Sequence, residues 1–171
     1  VPRSMEDPAT TISVNVAGTA NIFAAGRDAG VKRIIYASSS SVYGDSLKTP
    51  MKEGEEGKLL SPYAVSKKMN EQLAEIYSQV YSLQLIGLRY FNVYGPRQNP
   101  KGPYAAVVPS FFQASAEGKN PKIYGDGKQV RDLHYIGDLI DLYYHSMEAE
   151  PHLKTTVFNV GGGPNRAASL L

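Results

Sequence analysis

Tyr63 and Lys67 are the residues of this sequence whose types and spacing suggest chemistry most directly. On a helix, residues four positions apart lie one above the other on the same face. A tyrosine phenol has a reference pKa of about 10 and is a poor base near neutrality. A neighbouring ammonium favours the phenolate and lowers that pKa, so the pair suits general acid and base catalysis. The same spacing is also common on solvated helix faces, and the pair alone does not decide between these interpretations.

The residues around this pair predict the helix that it requires. Ser61 is a good N-cap, and Pro62 suits the first helical position. The following apolar residues recur at helical spacing: Met69, Leu73, Ile76, Tyr77 and Val80.

The rest of the chain alternates between helical and strand patterns. Residues 1–8 and 42–60 read as loops, and residues 11–29, 107–117 and 136–148 as helices, the first ending at Gly30. Short apolar runs at 32–37, 84–90, 123–124, 130–135 and 156–160 predict strands. This alternation favours an α/β fold with a parallel sheet.

Composition excludes several classes of function. The 171 residues include 42% hydrophobic and 20% charged residues, as in ordinary globular proteins. A net charge of +2 without charge blocks does not favour a nucleic-acid or membrane surface. Cysteine is absent, so disulfides and thiolate metal sites are excluded, and we expect a cytoplasmic protein.

Polar clusters follow three of the predicted strands. Four serines follow Ala37, Asn92 follows Tyr90, and three glycines follow Val160. Each cluster alone is compatible with a simple turn. Because ligands of parallel sheets bind beyond the carboxyl ends of the strands, the three together, with the Tyr63 helix, predict a binding site.

These motifs resemble the extended short-chain dehydrogenase/reductase superfamily. The resemblance rests on Ser38-Ser-Ser-Ser-Val-Tyr-Gly44, Tyr63-x-x-x-Lys67, Leu88-Arg-Tyr-Phe-Asn92 and Tyr94-Gly-Pro-Arg-Gln98. Asn15-Val-x-Gly-Thr, Arg131-Asp132 and Phe158-Asn-Val-Gly161 fit the same pattern in the same order. Within the superfamily, the chain is most similar to NAD-dependent UDP-glucose and UDP-N-acetylglucosamine 4-epimerases. The resemblance implies a Rossmann-like doubly wound parallel sheet, here without its first strands, and part of a small substrate-binding domain.

The resemblance also implies roles at the reacting end. Tyr63 would be the base, Lys67 would support its phenolate and bind the nicotinamide ribose, and Ser39 would contact the 4-hydroxyl. Ser40 or Ser41 could share the role of Ser39, because a small shift of the loop changes which hydroxyl points inward. NAD would be the cofactor, with further contacts from Asn15, Ser38 and Tyr90.

At the nucleotide end, the resemblance assigns four substrate-binding residues. Asn92 and Arg131 would contact the diphosphate or sugar, and Val107 and Tyr124 the uracil and ribose. The alternatives are an Asx-turn for Asn92, a surface ion pair with Asp132 for Arg131, and a strand core position for Tyr124. The histidines show no metal-ligand spacing, and we expect no metal.

The serine loop favours an epimerase over related activities. Family dehydratases and decarboxylases place a Thr and an acidic residue where this chain has Ser40 and Ser41. A dehydratase needs an additional acid and base to eliminate water, so the lack of a carboxyl group at these positions counts against it. A dehydratase or decarboxylase is nevertheless kept as the alternative activity. The alternative outside the enzymes is a non-catalytic scaffold that binds sugar nucleotides.

The family's first strand and glycine-rich pyrophosphate turn are not in this sequence. We therefore expect a fragment of a longer protein, inactive by itself, rather than a truncated relative. Residues 1–95 would belong to the NAD-binding domain and 96–171 mostly to the substrate-binding region, with 130–160 returning partly to the Rossmann sheet. By analogy we expect a homodimer through the helices near 11–29 and 61–81, whose apolar residues are Ile12, Ile22, Phe23, Leu73, Ile76 and Tyr77. The choice between glucose and N-acetylglucosamine, and between NAD and NADP, stays open from the sequence.

Overall fold

The computed structural model describes residues 1–100, 106–150, 156–163 and 167–169. The chain divides into two compact units, residues 1–90 with 143–160 and residues 91–142 with 161–171. The helices are α1 Pro2–Glu6, α2 Pro8–Ile12, α3 Gly18–Asp28, α4 Pro62–Tyr81, α5 Val107–Ala116 and α6 Ile136–Glu148. The strands are β1 Arg33–Ser39, β2 Gln84–Tyr90, β3 Asn92–Tyr94, β4 Val130–Tyr135, β5 Thr156–Val160 and β6 Ala167–Ser169. Within the described ranges, no helix is both long and apolar enough to span a bilayer.

The N-terminal segment is more helical than the sequence predicts. The predicted loop at 1–8 is wrong, because Pro2 and Pro8 each begin a short helix, at positions where the missing N–H is not needed. The predicted helix at 11–29 is present, but it contains the π-helical turn Ser13–Ala17 between α2 and α3. Gly30 follows the helix with φ of 69°, the left-handed conformation expected of a glycine cap.

The first unit contains a sheet in the order β1-β2-β5, and all its pairs are parallel. This confirms the predicted α/β fold with a parallel sheet. Because Ser39 pairs with Tyr90 and Tyr90 with Val160, the last residues of the three strands are aligned with one another. The residues that follow β1 therefore begin at the carboxyl edge of this sheet.

The core of the first unit lies between α3, α4 and the sheet. Phe23 packs edge-on against Tyr36 and Tyr77, with ring centroids 5.5 and 5.7 Å apart, and Leu73 packs against the same cluster. Phe23 is therefore buried in the core, and Leu73 and Tyr77 pack against it while staying half-buried. Ile22 and Ile76 are instead 62% and 54% exposed.

The second unit is built around β4, which pairs in parallel with β3 and antiparallel with β6. Two differences from the sequence prediction concern this unit. Strand β3 forms inside the stretch predicted as a turn-rich loop, because the edge of β4 is available to pair with it. The strand predicted at 123–124 is absent, and the chain there enters a turn in which Gly125 and Gly127 have φ of 76° and 74°.

Candidate active site

Helix α4 begins where the sequence predicts and carries Tyr63 in its first turn. The Ser61 side chain accepts a hydrogen bond from the Ala64 N–H at 3.1 Å, and Pro62 occupies the first helical position. The Tyr63 N–H, one of the unpaired donors of a helix start, donates to the buried Ser4 hydroxyl at 3.2 Å. Two serine hydroxyls therefore hold the backbone N–H groups of Tyr63 and of the residue after it.

Lys67 lies one turn after Tyr63, with its Nζ 5.7 Å from the centroid of the Tyr63 ring. The same Nζ donates to the Ala37 carbonyl of β1 at 3.0 Å. Burial lowers the pKa of Lys67, because the ammonium loses part of its hydration. An ammonium carries three hydrogens, and the bond to Ala37 uses one of them. Lys67 is therefore held in place while keeping donors for a ligand.

The four serines after β1 have different surroundings. Ser38 is buried, and its Oγ donates to Glu71 Oε1 at 2.6 Å. Ser39 caps the 3₁₀ turn Ser40–Tyr43 by accepting from the Ser41 N–H at 3.2 Å, so its own hydrogen remains to be donated. Ser40 and Ser41 are half-buried within this turn, which we call the serine turn. The structure thus directs the Ser38 hydroxyl to Glu71 and leaves Ser39 a proton to give.

A buried polar network connects α4, the sheet and the serine turn. Arg89 binds Glu71 with two parallel bonds, Nε to Oε1 and Nη2 to Oε2, both 2.8 Å long. Arg89 Nη1 donates to the Tyr43 hydroxyl at 2.9 Å, and that hydroxyl donates to Asn159 Oδ1 at 2.8 Å. Arg89 Nη2 also lies 2.5 Å from Glu56 Oε1. We call this set the Arg89 network: Ser38, Tyr43, Glu56, Lys68, Glu71, Arg89 and Asn159.

The charges of the Arg89 network balance. Lys68 lies 3.3 Å from Glu71 and 3.6 Å from Glu56, so two cations face two carboxylates. Burial alone would raise the pKa of Glu71, but the hydrogen bonds from Arg89 and Ser38 outweigh it and lower that pKa below its ordinary value. Glu71 is therefore ionised at neutral pH.

Sequence reasoning did not single out Glu71 or Arg89. The available signals were a charged residue inside the apolar pattern of β2 and a carboxylate one helical turn beyond Lys67. Neither signal identifies its partner, because Arg89 and Glu71 come from different elements.

Asn15 and Tyr90, both predicted to contact the cofactor, have partners in the first unit. Asn15 lies in the π-helical turn, and its Nδ2 donates to Ser66 Oγ at 2.9 Å; Ser66 then donates to the Tyr63 carbonyl at 2.8 Å. The Tyr90 hydroxyl bonds the Tyr143 hydroxyl, and burial together with this contact raises the pKa of Tyr90. Asn15 thus reaches α4 beside Lys67, and Tyr90 is held at the end of β2.

The second unit contains a cavity of about 280 Å³. All four residues predicted to bind the nucleotide end lie in its wall: Asn92, Val107, Tyr124 and Arg131. The sequence analysis did not identify the remaining lining residues, which are Val93, Tyr94, Ala106, Val108, Gln129 and Leu133. This combination of apolar side chains with a few polar groups is typical of small-molecule sites.

Asn92, in the wall of this cavity, is held by a contact between strands, and Arg131 is held by a contact within its own strand. Asn92 Nδ2 donates to the Asp132 carbonyl at 2.9 Å, so its side chain bridges β3 and β4 rather than forming an Asx-turn. The Asp132 carboxylate accepts from the Gly162 and Gly163 amides at 2.7 and 3.1 Å. Within the described ranges, no ion pair joins it to Arg131, whose Nη1 donates to the Val130 carbonyl.

Tyr124 is 71% exposed and does not occupy a strand core position. The Lys122 ammonium lies 4.8 Å from the centroid of its ring, and Gln129 Nε2 donates to the Tyr124 carbonyl at 2.8 Å. Its ring is therefore available for stacking at the cavity.

Among the described residues, no group of three or more His, Cys, Asp or Glu side chains is arranged to hold a metal ion. His134 is buried in β4, and its ring nitrogens have no hydrogen-bond partner among those residues.

Residues 1–161 match the model of the NAD dependent epimerase/dehydratase family. The UDP-glucose 4-epimerase of Mycolicibacterium smegmatis is 38% identical over 164 residues, which are 95% of this chain and 51% of that protein. The chain spans about half the length of the curated relatives it matches. Related sequences also include a UDP-N-acetyl-alpha-D-glucosaminuronate decarboxylase.

Solved structures show the same likeness. The UDP-N-acetylglucosamine 4-epimerase from Methanobrevibacter ruminantium, in complex with UDP-N-acetylmuramic acid, is 36% identical with a TM-score of 0.91, and the match covers 99% of this chain and 53% of that one. The UDP-glucose 4-epimerase from Thermotoga maritima, with UDP-glucose, is 34% identical with a TM-score of 0.88 and the same coverage. Other similar structures contain NAD, one of them a dTDP-glucose 4,6-dehydratase. These similarities confirm the predicted Rossmann-like α/β fold.

Proposed function

Because the chain belongs to the NAD-dependent epimerase/dehydratase family, we propose that the full-length protein is a UDP-sugar 4-epimerase. It interconverts UDP-glucose and UDP-galactose, or their N-acetyl forms, through transient oxidation at carbon 4 and a 4-keto sugar. The observation that carries the proposal is the Tyr63–Lys67 pair at the start of α4, a helix that packs against the serine turn. The epimerases among its relatives support it.

NAD is the family's cofactor, and when bound it supplies the acceptor and donor of the hydride exchanged with carbon 4. This chain has a side chain that fits the ribose of such a cofactor. Lys67 is fixed by the Ala37 carbonyl and keeps two further hydrogens, which suit adjacent ribose hydroxyls. We propose that Asn15, Ser38 and Tyr90 also contact the cofactor.

We propose that Tyr63 removes the proton of the sugar 4-hydroxyl. Lys67 places its ammonium one turn away, 5.7 Å from the centroid of the Tyr63 ring. Ser39 relays the proton, because its hydroxyl hydrogen is not used inside the serine turn, and Ser40 or Ser41 shares this role. The same proton returns to the oxygen when the 4-keto sugar is reduced on its other face.

We propose that the nucleotide end of the substrate binds in the cavity of the second unit. Arg131 presents a guanidinium that suits the diphosphate, since its one described bond is to a backbone carbonyl. The uracil and ribose pack against Val107 and the exposed Tyr124 ring, and Asn92 contacts the sugar or diphosphate.

We also propose a cytoplasmic homodimer formed through α3 and α4. Ile22 and Ile76 are exposed on these helices, as are Val65, Met69 and Val80. A second copy burying the same residues would remove this apolar surface from water. Changing Ile76 to Lys should convert the dimer to a monomer in light scattering, and an unchanged mass would exclude this interface.

A dehydratase or decarboxylase is the competing activity, and relatives with both names exist. The serine turn disfavours it, because Ser40 and Ser41 have no carboxyl group to protonate or deprotonate the sugar beyond carbon 4. Product analysis separates the two activities. An epimerase yields a C4 epimer of unchanged mass, whereas a dehydratase product has lost water and a decarboxylase product carbon dioxide.

The direct test uses the full-length protein. Denaturation should release NAD, and the protein should interconvert UDP-glucose and UDP-galactose or their N-acetyl forms. Tyr63→Phe should abolish turnover while leaving NAD content and circular dichroism unchanged. Tyr81→Phe, at the other end of the same helix, is the matched control and should remain active. Full turnover by Tyr63→Phe would remove Tyr63 from the mechanism, and a protein without NAD or epimerisation would favour the scaffold alternative.

A further inference from the structure

Three polar residues form one row across the carboxyl edge of the first sheet. Ser38 pairs with Arg89 and Arg89 with Asn159, so the three side chains project from the same face. Arg89, on the central strand, is 2% exposed. A polar row that includes a buried arginine is uncommon in a parallel sheet, because the strands of such sheets are usually apolar on both faces.

The row is connected to the helix and the loop beside it. Glu71 of α4 accepts from both Ser38 and Arg89, and Tyr43 of the serine turn joins Arg89 to Asn159. The loop after the serine turn is attached at the opposite end of the row, since Glu53 Oε1 accepts from the Asn159 N–H at 2.6 Å.

Each contact lies next to a residue proposed for the chemistry. Ser38 directly precedes Ser39, and Tyr43 ends the serine turn. Glu71 lies one helical turn beyond Lys67, as Lys67 lies one turn beyond Tyr63. A buried ion pair often adds no more stability than apolar residues of similar volume, so stability alone does not require this network.

We infer that Glu71 and Arg89 are positioning residues for Ser39, Tyr63 and Lys67, an inference that rests on the proposed function. The two parallel bonds between Glu71 and Arg89 fix α4 along the row. The bond from Ser38 to Glu71 then fixes where the serine turn begins relative to that helix. Neither residue contacts the reacting atoms. They act through the geometry of the groups that do.

The test compares Glu71→Gln with Glu75→Gln in the full-length protein. Glu75 is exposed one turn further along α4, so its variant controls for charge removal from the helix. Because a displacement of about 1 Å in a catalytic group can cost on the order of 100-fold, Glu71→Gln should lower kcat about 10- to 100-fold. The KM for the UDP-sugar and the content of bound NAD should not change, whereas Glu75→Gln should match the wild type.

Two further variants separate positioning from charge neutralisation. Arg89→Lys keeps the positive charge but loses the planar fork that binds Glu71. Its kcat should therefore be below that of the wild type, as for Glu71→Gln. Tyr43→Phe removes one hydroxyl from the network and should lower kcat in the same direction. If Glu71→Gln does not fold, Tyr43→Phe replaces it as the variant that tests the inference.

Three results would overturn the inference. The first is a wild-type kcat in folded Glu71→Gln or Tyr43→Phe. The second is a wild-type kcat in Arg89→Lys. The third is a loss of activity that equals the loss of bound NAD. A wild-type protein that does not epimerise refutes the proposed function and this inference with it, whereas normal wild-type turnover with an unaffected Glu71→Gln refutes only the inference.

Discussion

Replacing Arg89 by methionine should destabilise the full-length protein more than replacing Glu71 by glutamine. Glutamine keeps the size of Glu71 and an oxygen that accepts from Arg89, and Arg89 retains Glu56 at 2.5 Å. Methionine leaves Glu71 and Glu56 with Lys68 as their shared cation, at 3.3 and 3.6 Å. The two variants therefore differ in how much charge stays buried without a partner.

The expected magnitudes follow from this difference. Removing one partner of a buried ion pair costs about 3–5 kcal/mol, because the other charge remains buried, and we expect Arg89→Met in this range. For Glu71→Gln we expect about 1–3 kcal/mol, the cost of weakening charged hydrogen bonds whose donor keeps another counter-charge. The double variant should cost less than the sum, since only Glu56 is then left without Arg89.

Urea unfolding of the wild type, both single variants and the double variant measures these free energies. The sign of the pH dependence is a second test. Because the folded-state pKa of Glu71 is lowered, its stabilising effect is complete above the unfolded-state pKa and is lost as the pH falls through the folded-state pKa. The stability gap between the wild type and Glu71→Gln should therefore shrink in acid.

The reasoning fails if Glu71→Gln costs as much as Arg89→Met, or if the gap between wild type and Glu71→Gln is independent of pH. Additivity of the two single changes would show that Arg89 and Glu71 do not act as a pair. Glu75→Gln should lie within about 0.5 kcal/mol of the wild type, as surface changes usually do.

Two other predictions concern stability and are measured by the same unfolding experiment. Gly87→Ala would place a Cβ 2.6 Å from the buried Tyr36 hydroxyl and should cost about 1–3 kcal/mol. Tyr36→Phe removes that hydroxyl, which has no hydrogen-bond partner among the described residues, so it should be neutral or stabilise by about 1 kcal/mol and partly rescue Gly87→Ala; a clear loss would contradict this. Arg33 donates to the carbonyls of Ser146, Met147 and Ala149 at the end of α6, so Arg33→Met should cost about 1–3 kcal/mol and speed amide exchange there. Unchanged exchange would show that these bonds do not hold the helix end.

Local patterns predicted the elements that form from neighbouring residues. The cap at Ser61, the helix that carries Tyr63 and Lys67, and the strands ending at Tyr90 and Val160 are confirmed. These features depend on a few adjacent side chains and on hydrophobic periodicity. Sequence reasoning can evaluate both without knowing what packs against the element.

Other features depend on tertiary contacts that outweigh local preference. Strand β3 forms because β4 offers it an edge, although its sequence reads as a turn. Phe23 and Ile22 are adjacent apolar residues of one helix, yet one is in the core and the other is exposed. The pattern of apolar residues along a helix does not show which of them will pack against the sheet.

The sequence by itself determined the α/β alternation, the family resemblance and the spacing of Tyr63 and Lys67. Only the tertiary structure decided that the Ser38 hydroxyl is directed at Glu71 while Ser39 keeps its proton. The same is true of Arg89, whose partners reach it from a helix, a turn and a loop. Such partners are separated along the chain, and the pairing of the strands brings them together, so no local pattern could identify them.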